Sequence, residues 1–148
     1  MNDDELSWLP FLLQTSDPLF PTGAYAHSLG FEEGVRLGMV RDEASLSLFL
    51  REQVAPAMRE QELPWLRFAF HAAANGHLAE LRRIDLEISA WKLAPETREA
   101  SAQLGQRRLT ALRTISAAPL LDAFATLIAH GAFRGHHLTV SGLQAVVE

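Results

Sequence analysis

Residues 17–33 read Asp17-Pro18-Leu19-Phe20-Pro21-Thr22-Gly23-Ala24-Tyr25-Ala26-His27-Ser28-Leu29-Gly30-Phe31-Glu32-Glu33. Each proline pushes the residue before it out of the helical region, so 17–21 is expected to run extended. Thr22 is then placed as a helix N-cap, its hydroxyl able to accept from an N–H one turn on. The spacing predicts a helix from there through Arg36, with Gly38 as its left-handed C-terminal residue. Ala26, Gly30, Gly34 and Gly38 recur every four residues and form a row without side chains on such a helix. A glycine inside a helix costs about 1 kcal/mol relative to alanine. That cost is recovered if another backbone packs close against the row, and the stretch is read as a contact helix.

Working outward, the chain is helical throughout. Alternating Val/Ile/Thr runs are scarce while alanine and leucine dominate, which favours an all-α fold. Trp8, Leu9, Phe11, Leu12 and Leu13 belong to a short first helix that ends before Asp17. Asp42 is an N-cap for a helix with Leu46, Phe49, Leu50, Val54 and Met58 on one stripe. Pro56 is expected to kink or shorten that helix, and Pro64 to open the next, which stops at Asn75-Gly76. A following helix buries Leu78, Leu81, Ile84, Ile88 and Trp91, with Arg82, Arg83, Asp85 and Glu87 off that face. Pro95 starts a helix burying Ala100, Leu104, Ala111 and Ile115, with Arg107, Arg108 and Arg113 outside. Pro119 starts another, carrying Leu120, Leu121, Phe124, Leu127 and Ile128, before His136-His137 and an apolar end. No repeat and no linker is read. The expectation is one all-α domain over residues 1–148, of about seven to eight helices.

Composition narrows the function. The 148 residues are 48% hydrophobic with formal net charge −5, which argues against nucleic-acid binding. No apolar run reaches the roughly 20 residues of a membrane-spanning helix, and Asp3-Asp4-Glu5 is opposite in character to a signal peptide's basic start. A cytoplasmic location is expected. Cysteine is absent, excluding disulfides and thiolate chemistry. Lys92 is the lone lysine and follows no glycine-rich loop, so the chain carries no P-loop.

Two blocks of sequence carry a family resemblance. Asp17, Phe20-Pro21-Thr22-Gly23, Tyr25, Ala26-His27-Ser28, Gly30 and Glu32 form the first. Lys92, Glu96-Thr97-Arg98, Ala100-Ser101 and Leu104-Gly105 form the second. In this order and separation they resemble the urease accessory protein F (UreF) family. The resemblance implies a maturation chaperone without catalytic residues, which bridges the accessory protein UreD (UreH) and the GTPase UreG and serves nickel incorporation into apo-urease. It implies that nickel and GTP are handled by those partners, that this chain holds no cofactor, and that it is a homodimer within the complex. Partner contacts are then expected from Phe20, Tyr25, His27, Glu32, Lys92, Glu96 and Arg98. Pro21, Thr22, Gly23, Gly30, Gly34, Ser101 and Gly105 are expected to shape the backbone. Family members continue for several more helices, so Leu138, Val140, Leu143, Val146 and Val147 are expected to be partly uncovered.

Tyr25, His27 and Glu32 could instead serve a small helical enzyme or a metal-binding protein, and a short interaction module without urease partners is the third possibility. Imidazole suits nickel, but His136 and His137 diverge on a helix and His71 and His77 are parted by a turn. No three-ligand set converges, and no metal site is assigned.

Overall fold

The computed structural model describes residues 9–17, 19–22 and 30–147. They form seven helices and, among the described residues, no strand. The helices are α1 (Leu9–Ser16), α2 (Phe31–Arg36), α3 (residues 43–74), α4 (Leu78–Trp91), α5 (Pro95–Ile115), α6 (Pro119–Ala129) and α7 (His137–Gln144). The all-α expectation holds.

The opening stretch departs from its sequence reading in two ways. Asp17 closes a turn instead of extending: its carbonyl accepts the Phe20 N–H at 2.9 Å and its carboxylate the Leu19 N–H at 2.7 Å. Such side-chain mimicry of a turn is a habit of aspartate. In addition, α2 begins only at Phe31, because Gly30 is left-handed with φ 86°. A side chain added at Gly30 would meet open space, so this glycine is present for its backbone angle and not for a close contact. The row of small residues is therefore interrupted. Gly34 alone is buried in α2, against the Phe49 ring and Val40. At the far end Gly38 behaves as read. Its N–H bonds to the Val35 carbonyl and that of Met39 to Gly34, the double bond of a Schellman ending.

Asp42 caps α3 as expected, accepting from the Ser45 N–H at 2.8 Å while Ser45 Oγ accepts from the Asp42 N–H at 3.0 Å. The helix then passes both prolines without stopping. It runs as Glu43–Phe49, a wide π turn over Leu50–Val54, Ala55–Ala57, a second π turn over Met58–Glu62, and Leu63–Ala74. Before each proline the N–H reaches back five residues, Ala55 to Leu50 and Leu63 to Met58. The extra residue in the turn relieves the clash of a proline ring with the carbonyl four back, which otherwise breaks a helix. The same geometry exposes a repeat missed in the linear sequence. Leu50-Arg51-Glu52-Gln53-Val54-Ala55-Pro56 is echoed eight residues later by Met58-Arg59-Glu60-Gln61-Glu62-Leu63-Pro64. Seven residues make about two α-helical turns, so with one absorbed by the wide turn, Leu50 and Met58 return to the same flank. The stripe is not buried, however: Leu50 is 47% exposed and Met58 44%.

The core lies in the second half of the chain. Ala69 from α3, Leu81 and Ile84 from α4, Leu112 from α5, Leu121 and Phe124 from α6 and Val140 and Leu143 from α7 are sealed from solvent. Helix α7 packs chiefly on the Leu63–Ala74 part of α3 and on α5. This overturns the expectation of an uncovered end for Leu138, Val140 and Leu143, which are buried, while Val146 and Val147 pack against the core but remain partly uncovered. The reason is the small residues at the crossings. A Cβ on Gly142 would lie 2.6 Å from that of Ala69 and 2.7 Å from the Phe70 nitrogen, so α3 and α7 touch backbone to backbone.

The buried face of α5 is also turned by one residue from the one read. Ser101, Ala102, Gly105, Leu109 and Leu112 face inward, while Ala100, Leu104 and Ala111 are half-buried and Ile115 is exposed. The close approach of the 135–137 backbone to Gly105 fixes which face turns inward. On α4, Leu81, Ile84 and Ile88 are buried as expected, but Trp91 is 58% exposed.

Candidate functional site

Asp85 was placed off the buried face of α4, yet it is fully enclosed. A buried carboxylate persists only where donors replace its water. Its Oδ2 accepts the backbone N–H groups of Arg134 at 2.6 Å and Gly135 at 3.1 Å. Its Oδ1 accepts the His136 N–H at 2.8 Å and the Thr139 hydroxyl at 2.9 Å. No side chain of its own segment caps α7; Asp85 does so from another helix, with the charge preferred at a helix N-terminus. The signal was present in the sequence. Leu81, Ile84, Asp85 and Ile88 fall at i, i+3, i+4 and i+7, so the carboxylate lies within the apolar stripe itself.

The segment held by Asp85 lies against the second sequence block. A Cβ on Gly105 would overlap the Gly135 carbonyl oxygen and come within 2.7 Å of the His136 carbonyl carbon and 2.8 Å of the His137 nitrogen. Ser101, one turn earlier, is buried on the same face. Arg98 turns inward, donating from Nε to the Lys92 carbonyl at 3.0 Å and from Nη2 to that of Leu93 at 3.1 Å. It closes the corner between α4 and α5, with its fork on these two carbonyls. Lys92 is half-buried at that corner, and Glu96 is exposed in the first turn of α5. Glu99 is paired with Arg134 at 3.8 Å.

The first block meets the same assembly from the other side. Phe20 lies under the Arg108 guanidinium, 5.7 Å from its ring centre. Arg108 Nη1 donates to Gln144 Oε1 at 2.5 Å, and Gln144 Nε2 donates to Thr15 Oγ1 at 2.6 Å. This chain of bonds ties α1 and Phe20 to α5 and α7. Pro21 borders a shallow hollow along α5 beside Gln106 and Thr110. Thr22 is buried, and Glu32 is exposed on α2. Gly23, Tyr25 and His27 lie outside the described residues, as does the N-cap expected of Thr22 toward Ala24 or Tyr25.

His136 is sealed from solvent, and among the described residues neither of its ring nitrogens has a hydrogen-bond partner. Burial lowers its pKa; the Asp85 charge opposes that, and Lys92, Arg134 and Arg98 add to it. Burial, then Arg108 and Lys92, push His137 from 6.5 down to about 4. The two imidazoles are therefore neutral at neutral pH. Because the unfolded chain takes up these protons first, stability is fully present above the unfolded value and is lost as pH falls through the folded one. For His137 the window runs from 6.5 to about 4, a difference worth about 3 kcal/mol. Melting temperature should accordingly drop steeply on acidification across this window, and His137→Gln should flatten the profile. An unchanged slope in that variant would remove His137 as the cause.

Among the described residues no three His, Cys, Asp or Glu side chains are grouped to hold a metal ion. No helix of the described residues is long and apolar enough to cross a membrane.

Comparison with known proteins gives this assembly a family. The UreF family model matches residues 40–147. Urease accessory protein UreF of Paenarthrobacter aurescens (strain TC1) is 37% identical over 134 residues, 90% of this chain and 57% of the relative. The protein of the same name from Actinobacillus pleuropneumoniae serotype 3 (strain JL03) is 34% identical, covering 90% of this chain and 59% of the relative. That of Haemophilus influenzae (strain ATCC 51907 / DSM 11121 / KW20 / Rd) is 31% identical over 140 residues, 95% and 60% of the two chains. The chain thus spans about three fifths of the length of the curated relatives it matches. No solved structure matches it. With the family model matched over most of its length and relatives aligned over nine tenths of it, the chain belongs to the UreF family of urease accessory proteins.

Proposed function

We propose that this chain is a non-catalytic docking module of cytoplasmic urease maturation. It binds UreD (UreH) and through it recruits the GTPase UreG to apo-urease, in a complex that holds two copies of the chain. Nickel and GTP are handled by the partners, and the chain needs no cofactor of its own. Family membership supports the accessory role, and one surface feature supports docking. Trp91 is 58% and Leu93 85% exposed, on either side of Lys92. With Trp65 and Ala90 they border an open hollow of about 690 Å³. Exposed large apolar groups clustered in this way mark interaction surfaces, and tryptophan is prominent among residues that dominate binding energy.

The test is co-purification of tagged chain with UreD and UreG, comparing wild type with the Trp91→Ala/Leu93→Ala double variant. The variant should melt close to wild type, since each exposed substitution usually costs within about 0.5 kcal/mol. Its retention of UreD should fall by at least about tenfold, the loss of one well-seated anchor being about 2 kcal/mol or more. Full retention by the variant would move the docking surface elsewhere. Failure of the wild-type chain to retain UreD would overturn the proposal itself. Tyr25→Ala, His27→Ala and Glu32→Ala extend the comparison to the first block.

A further inference from the structure

A second concavity, distinct from the Trp91–Leu93 hollow, lies where α1, α3, α5 and α7 meet. It encloses about 530 Å³. Its apolar wall includes Leu12, Leu63 and Phe70, while Arg67, Arg108 and His137 supply nitrogen and Ser141 a hydroxyl; no acidic residue lines it among those described. Arg67 is exposed and makes no hydrogen bond or ion pair among the described residues.

Arg108 is the anomaly. It is half-buried, its guanidinium lies over the Phe20 ring, its Nη1 is spent on the neutral Gln144 amide, and its Nε is enclosed with no hydrogen-bond partner among the described residues. No carboxylate pairs with it among the described residues. Burial alone lowers its pKa, with no neighbouring negative charge acting to restore it. His137 cannot neutralise it, being at best a neutral ring beside a cation. A guanidinium withdrawn from water without a counter-ion opposes folding, and a planar fork is best satisfied by a carboxylate.

We propose that this groove binds an acidic side chain flanked by large apolar residues on a segment of a partner protein. The carboxylate faces Arg108 with Arg67 at the mouth, and the flanking side chains lie against Leu63 and Phe70. A free oxyanion would satisfy the charge but leave the apolar wall and most of the volume unfilled. The charge and the wall together select a carboxylate on an apolar segment.

The test is a titration of the full chain, followed by two-dimensional amide NMR, with three probes. The first is an end-blocked pentapeptide with glutamate between leucine and phenylalanine residues. The second is its glutamine counterpart, and the third is inorganic phosphate at equal ionic strength. The glutamate peptide should shift the amides of Arg67, Phe70, Arg108 and Ser141. The glutamine peptide should bind at least about tenfold more weakly, as expected for losing one partner of a partly buried charge pair. Arg67→Gln, at an exposed side chain with no hydrogen bond or ion pair among the described residues, should weaken the glutamate peptide severalfold, and Arg108→Met should abolish its binding in a chain shown to be folded by its spectrum. The proposal is overturned by equal binding of the two peptides, by shifts that map elsewhere, by phosphate competing as well as the glutamate peptide, or by no groove shifts at millimolar peptide. Indifference to Arg67→Gln would equally sink it. No urease component enters the assay, so its failure and that of the docking proposal above are read separately.

Discussion

Asp85→Ala is expected to remove about 3–5 kcal/mol of stability, the usual cost of breaking a buried charged network from one side. The variant leaves three backbone N–H groups and the Thr139 hydroxyl, all now satisfied by this carboxylate, without an acceptor. Against a typical domain stability of about 5–15 kcal/mol, that is a large fraction. Asp85→Asn is the sharper probe because it keeps the shape. Each carboxylate oxygen accepts from two donors, so either orientation of the amide sets its NH₂ group against a pair of them. We expect this variant to lose about 2 kcal/mol or more, within the desolvation cost of orphaned buried groups. Urea midpoints measure both losses. Hydrogen exchange should place the damage at 134–136 and the first turn of α7. A midpoint shift of less than about 0.5 kcal/mol for Asp85→Asn, the ordinary effect of a surface change, would mean that the carboxylate does not organise this segment.

Gly105→Ala and Gly142→Ala are the second pair, and their sign is decided by two opposed effects. Alanine improves helix propensity by about 1 kcal/mol over glycine. The added carbon, however, meets backbone: Gly135, His136 and His137 at position 105, and Ala69 and Phe70 at position 142. Backbone cannot swing aside as a long side chain can, so the helices must separate. Overpacking costs about 1–3 kcal/mol and at times more. The contacts here are at the severe end, and net destabilisation of about 2 kcal/mol or more is expected for each. Gly30→Ala provides the contrast. It meets nothing within 4 Å, so only the left-handed backbone penalty of about 1–2 kcal/mol applies. Thermal melts should rank both packed glycines above Gly30 in cost. The reverse order would mean that these helix crossings are looser than the structure has them.

The ranking is instructive because the sequence singled out Gly105 and Gly30 but not Gly142. Gly30, Gly34 and Gly38 stand four apart and invite a single helical row, but the left-handed turn at Gly30 interrupts it. Gly142 drew no notice, although it sits where two backbones touch. Spacing along a chain reports which residues share a face of a helix. It does not report whether another helix arrives there, since that depends on residues far away in sequence.

Local chemistry was largely legible. The Asp42 cap, the endings at Gly38 and Gly76, the apolar stripe of α4 and the all-helical character follow from interactions within a few residues. Those interactions are present in the sequence itself, as are the two blocks that identify the family. The π turns at Pro56 and Pro64 show the limit even at short range. Proline forbids one hydrogen bond, and the chain meets that restriction by widening the turn before it while the helix continues.

The burial of α7, the rotation of α5 and the place of Asp85 were decided only by tertiary structure. Each depends on a balance between distant segments. A carboxylate reads as surface until three backbone N–H groups some fifty residues later replace its water. Helix α5 turns its small residues inward because the backbone at 135–137 lies against Gly105. The sequence determined that the chain is helical, where many of its helices end and which family it resembles. Which faces meet, and which charges are enclosed by that meeting, was determined by close packing between residues the linear order keeps apart.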